Sequence, residues 1–195
     1  MMKSLCVYCA SSDRLDQKFH AAGAQLGEQL ARRGWTLVYG GGRTGLMGSV
    51  ARAAKAAGGR VVGVIPGFMK ERELAFAEAD ELITVITMRE RKMFMETRAD
   101  AFVALPGGWG TLEEIMEILT LKQINSLHKP AVLFNVDGYY DPLLAQFERM
   151  YAEKFSKESN RHLFTVARSV DEVFTQLEHW QPVPVESKWF ETHRS

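Results

Sequence analysis

Short apolar runs alternate with longer stretches whose apolar residues recur every three or four positions, from one end of the chain to the other. The short runs are Leu5–Cys9, Thr36–Tyr39, Arg60–Ile65, Leu82–Ile86, Ala101–Leu105 and Ala131–Asn135. Several are nearly continuous in apolar residues, the pattern of parallel strands covered on both faces. The longer stretches predict helices over Asp16–Arg33, Gly45–Ala57, Met88–Arg98 and Thr111–Ser126, with two more near Pro142–Glu153 and Val170–His179. A β-α-β-α rhythm of this kind predicts a parallel sheet with right-handed crossovers and helices on both sides. No repeat, low-complexity stretch or linker divides the chain, so one domain is expected across residues 1–195, with an extended, proline-spaced tail from about residue 181.

Composition narrows the partners more than the fold. The 24 basic and 24 acidic residues cancel. A chain built to hold a nucleic-acid backbone or an anionic membrane is usually net basic, so neither partner is expected. The opening Met-Met-Lys-Ser-Leu-Cys lacks the apolar run of a secretory signal. No window approaches the roughly 18 apolar residues of a membrane span. A cytoplasmic protein is expected. Cys6 and Cys9 form a C-x-x-C, but they lie in a predicted strand, where a redox pair would open a helix. Residues three apart on a strand face opposite ways, so two buried structural thiols are expected. The five histidines are scattered without metal-ligand spacing.

In open α/β sheets, ligands bind beyond the carboxyl ends of the strands, and the loops there hold the informative residues. Ser11 and Ser12 follow the first strand and could bond a ligand or simply form a turn. After the second strand, Tyr39-Gly40-Gly41-Gly42-Arg43-Thr44-Gly45-Leu46-Met47-Gly48 is richer in glycine than a turn needs. It fits G-x-G-x-x-G, yet the next strand ends Val62-Gly63-Val64-Ile65-Pro66 without the acid that holds a dinucleotide ribose. Ligand contact is expected here, and a nicotinamide cofactor is not.

Pro106-Gly107-Gly108-Trp109-Gly110-Thr111-Leu112-Glu113-Glu114 joins an apolar strand to a helix. Free amides, the positive end of the helix and the Thr111 hydroxyl make a phosphate cradle, although no Gly-Lys-Ser/Thr follows to make it a triphosphate loop. Glu113 and Glu114 could merely complement the helix dipole, but a carboxylate beside an anion site repels the ligand unless it has chemistry to do. Successive helical residues point about 100° apart, so one can face the site and the other away. On the preceding helix, Met88, Arg91 and Met95 share a face, and an arginine on an apolar stripe implies an anionic partner or a snorkelling stem.

On these motifs the chain resembles the LOG (Lonely Guy) family of cytokinin-activating phosphoribohydrolases, often mislabelled as lysine decarboxylases. The family signature P-G-G-x-G-T-x-x-E is matched from Pro106 to Glu114, and Y-G-G-G-x-x-G-L-M-G from Tyr39 to Gly48. Arg91-Lys92 resemble its R-K pair, Arg72-Glu73 an upstream R-E pair, and Ser11-Ser12 the serines after its first strand. The likeness spans roughly residues 4–180. It departs at Arg89, where the family often has histidine, and in Pro66–Glu81, which is expected to border the base pocket. The resemblance implies a Rossmann-like, three-layer αβα fold with a parallel sheet of about six or seven strands. It also implies a homodimer, no metal or cofactor, and hydrolysis of nucleoside 5′-monophosphates, N6-substituted adenine ribotides or AMP, to free base and ribose 5-phosphate. Glu114 is the expected catalytic carboxylate, and Arg91 is expected to hold phosphate or to orient Glu114; Gly107, Gly108, Gly110 and Thr111 are the expected phosphate site. Further substrate contacts are expected from Ser11, Ser12, Gly41, Gly42, Glu73, Lys92, Trp109, Glu113 and Thr120. A non-catalytic carrier resembling the molybdenum-cofactor carrier proteins is the alternative.

Overall fold

The computed structural model describes residues 3–70 and 74–183. Seven parallel strands form one sheet: β1 (Ser4–Tyr8), β2 (Thr36–Tyr39), β3 (Arg60–Pro66), β4 (Glu81–Val85), β5 (Ala101–Ala104), β6 (Ala131–Phe134) and β7 (Thr165–Ala167). Their spatial order is β4-β3-β2-β1-β5-β6-β7. The order reverses at β1, which lies between β2 and β5, so a crevice opens there at the carboxyl ends.

Helices α1 (Gln17–Arg32), α2 (Gly45–Ala56) and α7 (Val170–Glu178) cover one face. The other face carries α4 (Met88–Arg98), α5 (Trp109–Gln123) and α6 (Asp141–Ala152), and a single turn, α3 (Gly67–Lys70), follows β3. The three-layer α/β expectation is therefore met. Alternate residues of the central strands serve the two cores: Leu5, Val7 and Cys9 face α1 and α2, while Cys6 and Tyr8 face α4 and α5. The two thiols are thus buried, free and on opposite faces. Burial pushes both well above the ordinary thiol value, so neither is a reactive thiolate.

Among the differences from the sequence reading, three bear on the sheet or the site. β4 is an edge strand, so only one side of it is covered; Glu81 pairs there with Arg60 and Arg98, and Ile86, just past its end, is 82% exposed. β7 is three residues long and partly exposed, too short to show a period. α5 begins at Trp109, two residues before the expected start, which has consequences for the site. No helix among the described residues is long and apolar enough to cross a membrane.

Candidate active site

A cleft of about 240 Å³ lies where the strand order reverses. Ala10 and Ser11 after β1, Gly40 after β2, Met69 of α3, Arg91 and Met95 of α4, Gly108 just before α5, and Trp109, Gly110, Thr111 and Glu114 of α5 all line it.

The two glycine loops look alike in sequence and are opposites in structure. At the start of α2, Gly45 N–H donates to the Asp13 carboxylate at 2.6 Å, and Leu46 and Met47 N–H both donate to the Ala10 carbonyl, at 3.0 and 3.3 Å. The Gly48 N–H closes onto Thr44 at 3.1 Å. This helix end is already satisfied, so the expected anion contact at its N-terminus is not what the fold provides. Gly41 and Gly42 do not line the cleft either: Gly41 has φ 73° and packs on Ile65, while Gly42 sits under Met47 and bridges Ala75. The member of this run that matters to the cleft is Gly40. A Cβ there would lie 1.7 Å from Nη2 of Arg91, so the missing side chain is the space the guanidinium fills.

At α5 the amides are free. The first helical bond runs from Leu112 N–H to the Gly108 carbonyl at 3.0 Å. Among the described residues, the N–H groups of Gly107, Gly108, Trp109, Gly110 and Thr111 have no hydrogen-bond partner. Added Cβ atoms at Gly108 and Gly110 would meet open space, whereas one at Gly107 would lie 2.1 Å from the Thr111 hydroxyl. Five unpaired amides at the positive end of a helix are a place for an anion. Trp109 stands at its rim, 91% exposed.

Because α5 starts at Trp109, Glu113 and Glu114 lie in its second turn rather than its first. The dipole effect fades within one turn, which removes much of the case for a purely structural role. The two glutamates part company as expected. Glu113 faces outward and is ion-paired to Lys92, which also reaches Glu117 at 3.0 Å. Glu114 turns inward, 7% exposed, and accepts from Arg91 Nη1 at 3.2 Å. Arg91, 8% exposed, also donates from Nε to the Val64 carbonyl at 3.1 Å. Burial pushes the Glu114 carboxyl up to about 7; Arg91 pulls it down and the Glu113 charge pushes it up, both more weakly. The single, non-bidentate contact explains why desolvation outweighs the pairing.

Other expected residues fall elsewhere. Ser12 accepts from the Arg14 N–H at 3.2 Å and lies outside the lining. Thr120 is nine residues beyond Thr111 on α5; its hydroxyl donates to the Met116 carbonyl, and it borders a separate groove against α6. Met88 is exposed, so the buried stripe of α4 is Arg91 and Met95 alone. Glu73 lies outside the described residues. Sequence reasoning missed Cys9, Met47 and Met69 as lining residues, although Met69 belongs to the divergent Pro66–Glu81 segment. No lysine lines the cleft among the described residues, so the imine on which pyridoxal-phosphate chemistry depends has no donor there.

The family model described as "Possible lysine decarboxylase" matches residues 47–177. A probable cytokinin riboside 5′-monophosphate phosphoribohydrolase of Oryza sativa subsp. japonica is 44% identical, over 93% of this chain and 74% of that protein. A cytokinin riboside 5′-monophosphate phosphoribohydrolase of Arabidopsis thaliana is 41% identical, over 93% of this chain and 79% of that one. Among solved structures, the molybdenum cofactor binding protein of Rippkaea orientalis superposes with a TM-score of 0.70 at 21% identity, covering 91% of this chain and 96% of that chain. The molybdenum cofactor carrier protein of Chlamydomonas reinhardtii does so at 0.70 and 22%, covering 91% and 97%. Those two likenesses establish a shared fold; the sequence relatives establish kinship, and the chain belongs to the LOG family of cytokinin riboside 5′-monophosphate phosphoribohydrolases.

Proposed function

We propose that this protein hydrolyses the N-glycosidic bond of nucleoside 5′-monophosphates, N6-substituted adenine ribotides and AMP, giving free base and ribose 5-phosphate. The observation that carries this reading is the buried Arg91–Glu114 pair set beside the unpaired amides of Gly107–Thr111. Phosphate at the amides brings the ribose over Glu114. As the C1′–N bond breaks, its electron pair leaves with the base, which takes up a proton, and the sugar approaches an oxocarbenium ion. The Glu114 carboxylate stabilises that charge and removes a proton from the water whose oxygen bonds to C1′. A carboxyl near 7 suits a base that works at neutral pH. Arg91, which donates to Glu114 from Nη1 and to the Val64 carbonyl from Nε, orients the carboxylate. The thioethers of Met47, Met69 and Met95 offer the base an adaptable apolar wall. Ser11 and the exposed indole of Trp109 complete the substrate contacts among the described residues.

A panel of nucleoside monophosphates, assayed for released base, tests the reading. AMP or N6-isopentenyl-AMP should be cleaved without metal or nicotinamide, and the matching nucleosides poorly, because phosphate binding energy orients the ribose. Equal cleavage of AMP and adenosine would show that the amides serve another purpose. The carrier alternative rests on shared fold, and binding of AMP without release of base in the same assay would favour it.

The chain works as one nucleotide-binding domain, in the cytoplasm and as a homodimer. Trp180, Trp189 and Phe190 in and beside the proline-spaced tail give the chain apolar surface to cover. Trp180 lies over Lys122 at 5.4 Å, and the other two lie outside the described residues. Better support comes from Phe68, Ile86, Met88 and Met93, exposed around β4 and α4. Light scattering at micromolar concentration should return twice the chain mass.

A further inference from the structure

The amide cradle has a brace behind it. Three successive carbonyls are taken up: Leu105 by the Tyr140 hydroxyl at 2.7 Å, Pro106 by the Ala10 N–H at 3.2 Å, and Gly107 by the Tyr139 hydroxyl at 2.6 Å. In a trans peptide the carbonyl and the following N–H point opposite ways. Holding the Gly107 carbonyl therefore turns the Gly108 N–H to the far side of the loop, and Gly108 lines the cleft.

Tyr140 is fully buried, and its contact belongs to the core. Tyr139 is half-exposed and emerges from a turn that the chain holds at a cost. Asp137 has φ 51° and Gly138 φ 73°, two successive residues in the left-handed region. A non-glycine residue there is uncommon, and it persists only where its surroundings over-determine it. They do so here. Lys18 is ion-paired to Asp137; the Asn135 side chain donates to Asp141 at 2.7 Å and accepts from the Tyr140 N–H at 2.7 Å. Phe19 and Tyr140 meet the Tyr139 ring edge-on, with centroids 6.0 and 5.1 Å away. The outcome of all this fixing is one hydroxyl aimed at one carbonyl of the cleft loop.

We infer that Tyr139 is a positioning residue that sets the anion cradle by holding the Gly107–Gly108 peptide with its N–H toward the bound phosphate. The inference rests on the proposed phosphate site at Gly107–Thr111. Tyr139→Phe tests it, because the ring packing stays and only the hydroxyl goes. Isothermal titration with inorganic phosphate, ribose 5-phosphate, AMP and adenosine is the direct readout, alongside kcat and KM for AMP and the melting temperature. The expected result is about three- to tenfold weaker binding of the three phosphate-bearing ligands, the scale of one hydrogen bond. Adenosine affinity should be unchanged, and KM for AMP should rise more than kcat falls. Lys18→Met, which frees the turn without touching the loop, should shift phosphate affinity the same way by less. Unchanged phosphate affinity in Tyr139→Phe, or equal losses for AMP and adenosine, overturns the inference. Wild-type protein that binds phosphate but cleaves no monophosphate would overturn the proposed reaction and leave the brace standing.

Discussion

Glu113 and Glu114 are adjacent in the chain, and the fold gives one to solvent and Lys92 and the other to the cleft and Arg91. Glu114→Gln should keep the fold, since the amide still offers Arg91 an acceptor, while removing most turnover. Arg91→Ala should also cost turnover, and the double variant should be little worse than the poorer single, because residues acting as a unit are non-additive. Glu113→Gln is the control and should do less harm. Measuring kcat, AMP affinity and melting temperature for these proteins checks the assignment; near wild-type kcat in Glu114→Gln would end it. The pH dependence has a definite sign. The Glu114 carboxyl is raised to about 7, so the working carboxylate accumulates as pH rises through that value, and kcat should climb from about pH 6 to 8. Arg91 holds that value down, so Arg91→Met should move the climb to higher pH. The same raised carboxyl favours the folded state most below its ordinary value of 4.5, and that contribution is lost as pH rises toward 7. That Glu114 and Arg91 belong to the site was legible from the motifs; that they pair directly, rather than Arg91 holding phosphate, needed the fold. That the thioethers of Met47 and Met69 meet in one wall was not legible, because they converge from separate segments, although Met47 lies in the Tyr39–Gly48 motif and Met69 in the stretch expected to border the base pocket.

At the scale of elements, α2 and α5 teach the limit of a glycine pattern. Both follow a strand and a glycine run, and only the contacts of Asp13 and Ala10 reveal that the first helix end is stoppered. Those contacts cross from the β1–α1 loop, so no window around Gly45 could show them. Likewise, the turn that presents Tyr139 follows a strand that was legible, but its purpose depends on a loop 32 residues away. What the glycines of the β2–α2 loop do instead is make room. Gly40→Ala should drive the Arg91 guanidinium out of place, since the new methyl would lie 1.7 Å from Nη2. The atom displaced is the far end of a flexible side chain, so the melting temperature should change little. Turnover should fall about a hundredfold, the scale of an ångström misplacement in an active site. A Gly40→Ala enzyme with normal kcat would show that Arg91 acts from more than one position.

For the whole molecule, the β-α alternation was enough to foresee a parallel sheet, covered on both faces, with its chemistry at the carboxyl ends. It could not show the reversal at β1, which depends on which strand pairs with which. That arrangement also decides where the described chain enters and leaves. Lys3 accepts from Thr36 N–H at the amino end of the sheet. Glu178, at the close of α7, meets Arg33 at 3.5 Å, and Trp180 reaches Lys122 near the close of α5, all at that same end. The reacting groups therefore lie at the opposite pole from Lys3 and Trp180. Protein tethered to a bead or grafted to a carrier through residues before Ser4 should present its cleft outward. Its KM for AMP should match that of the free protein, whereas coupling through a cysteine placed at Trp109 should block it.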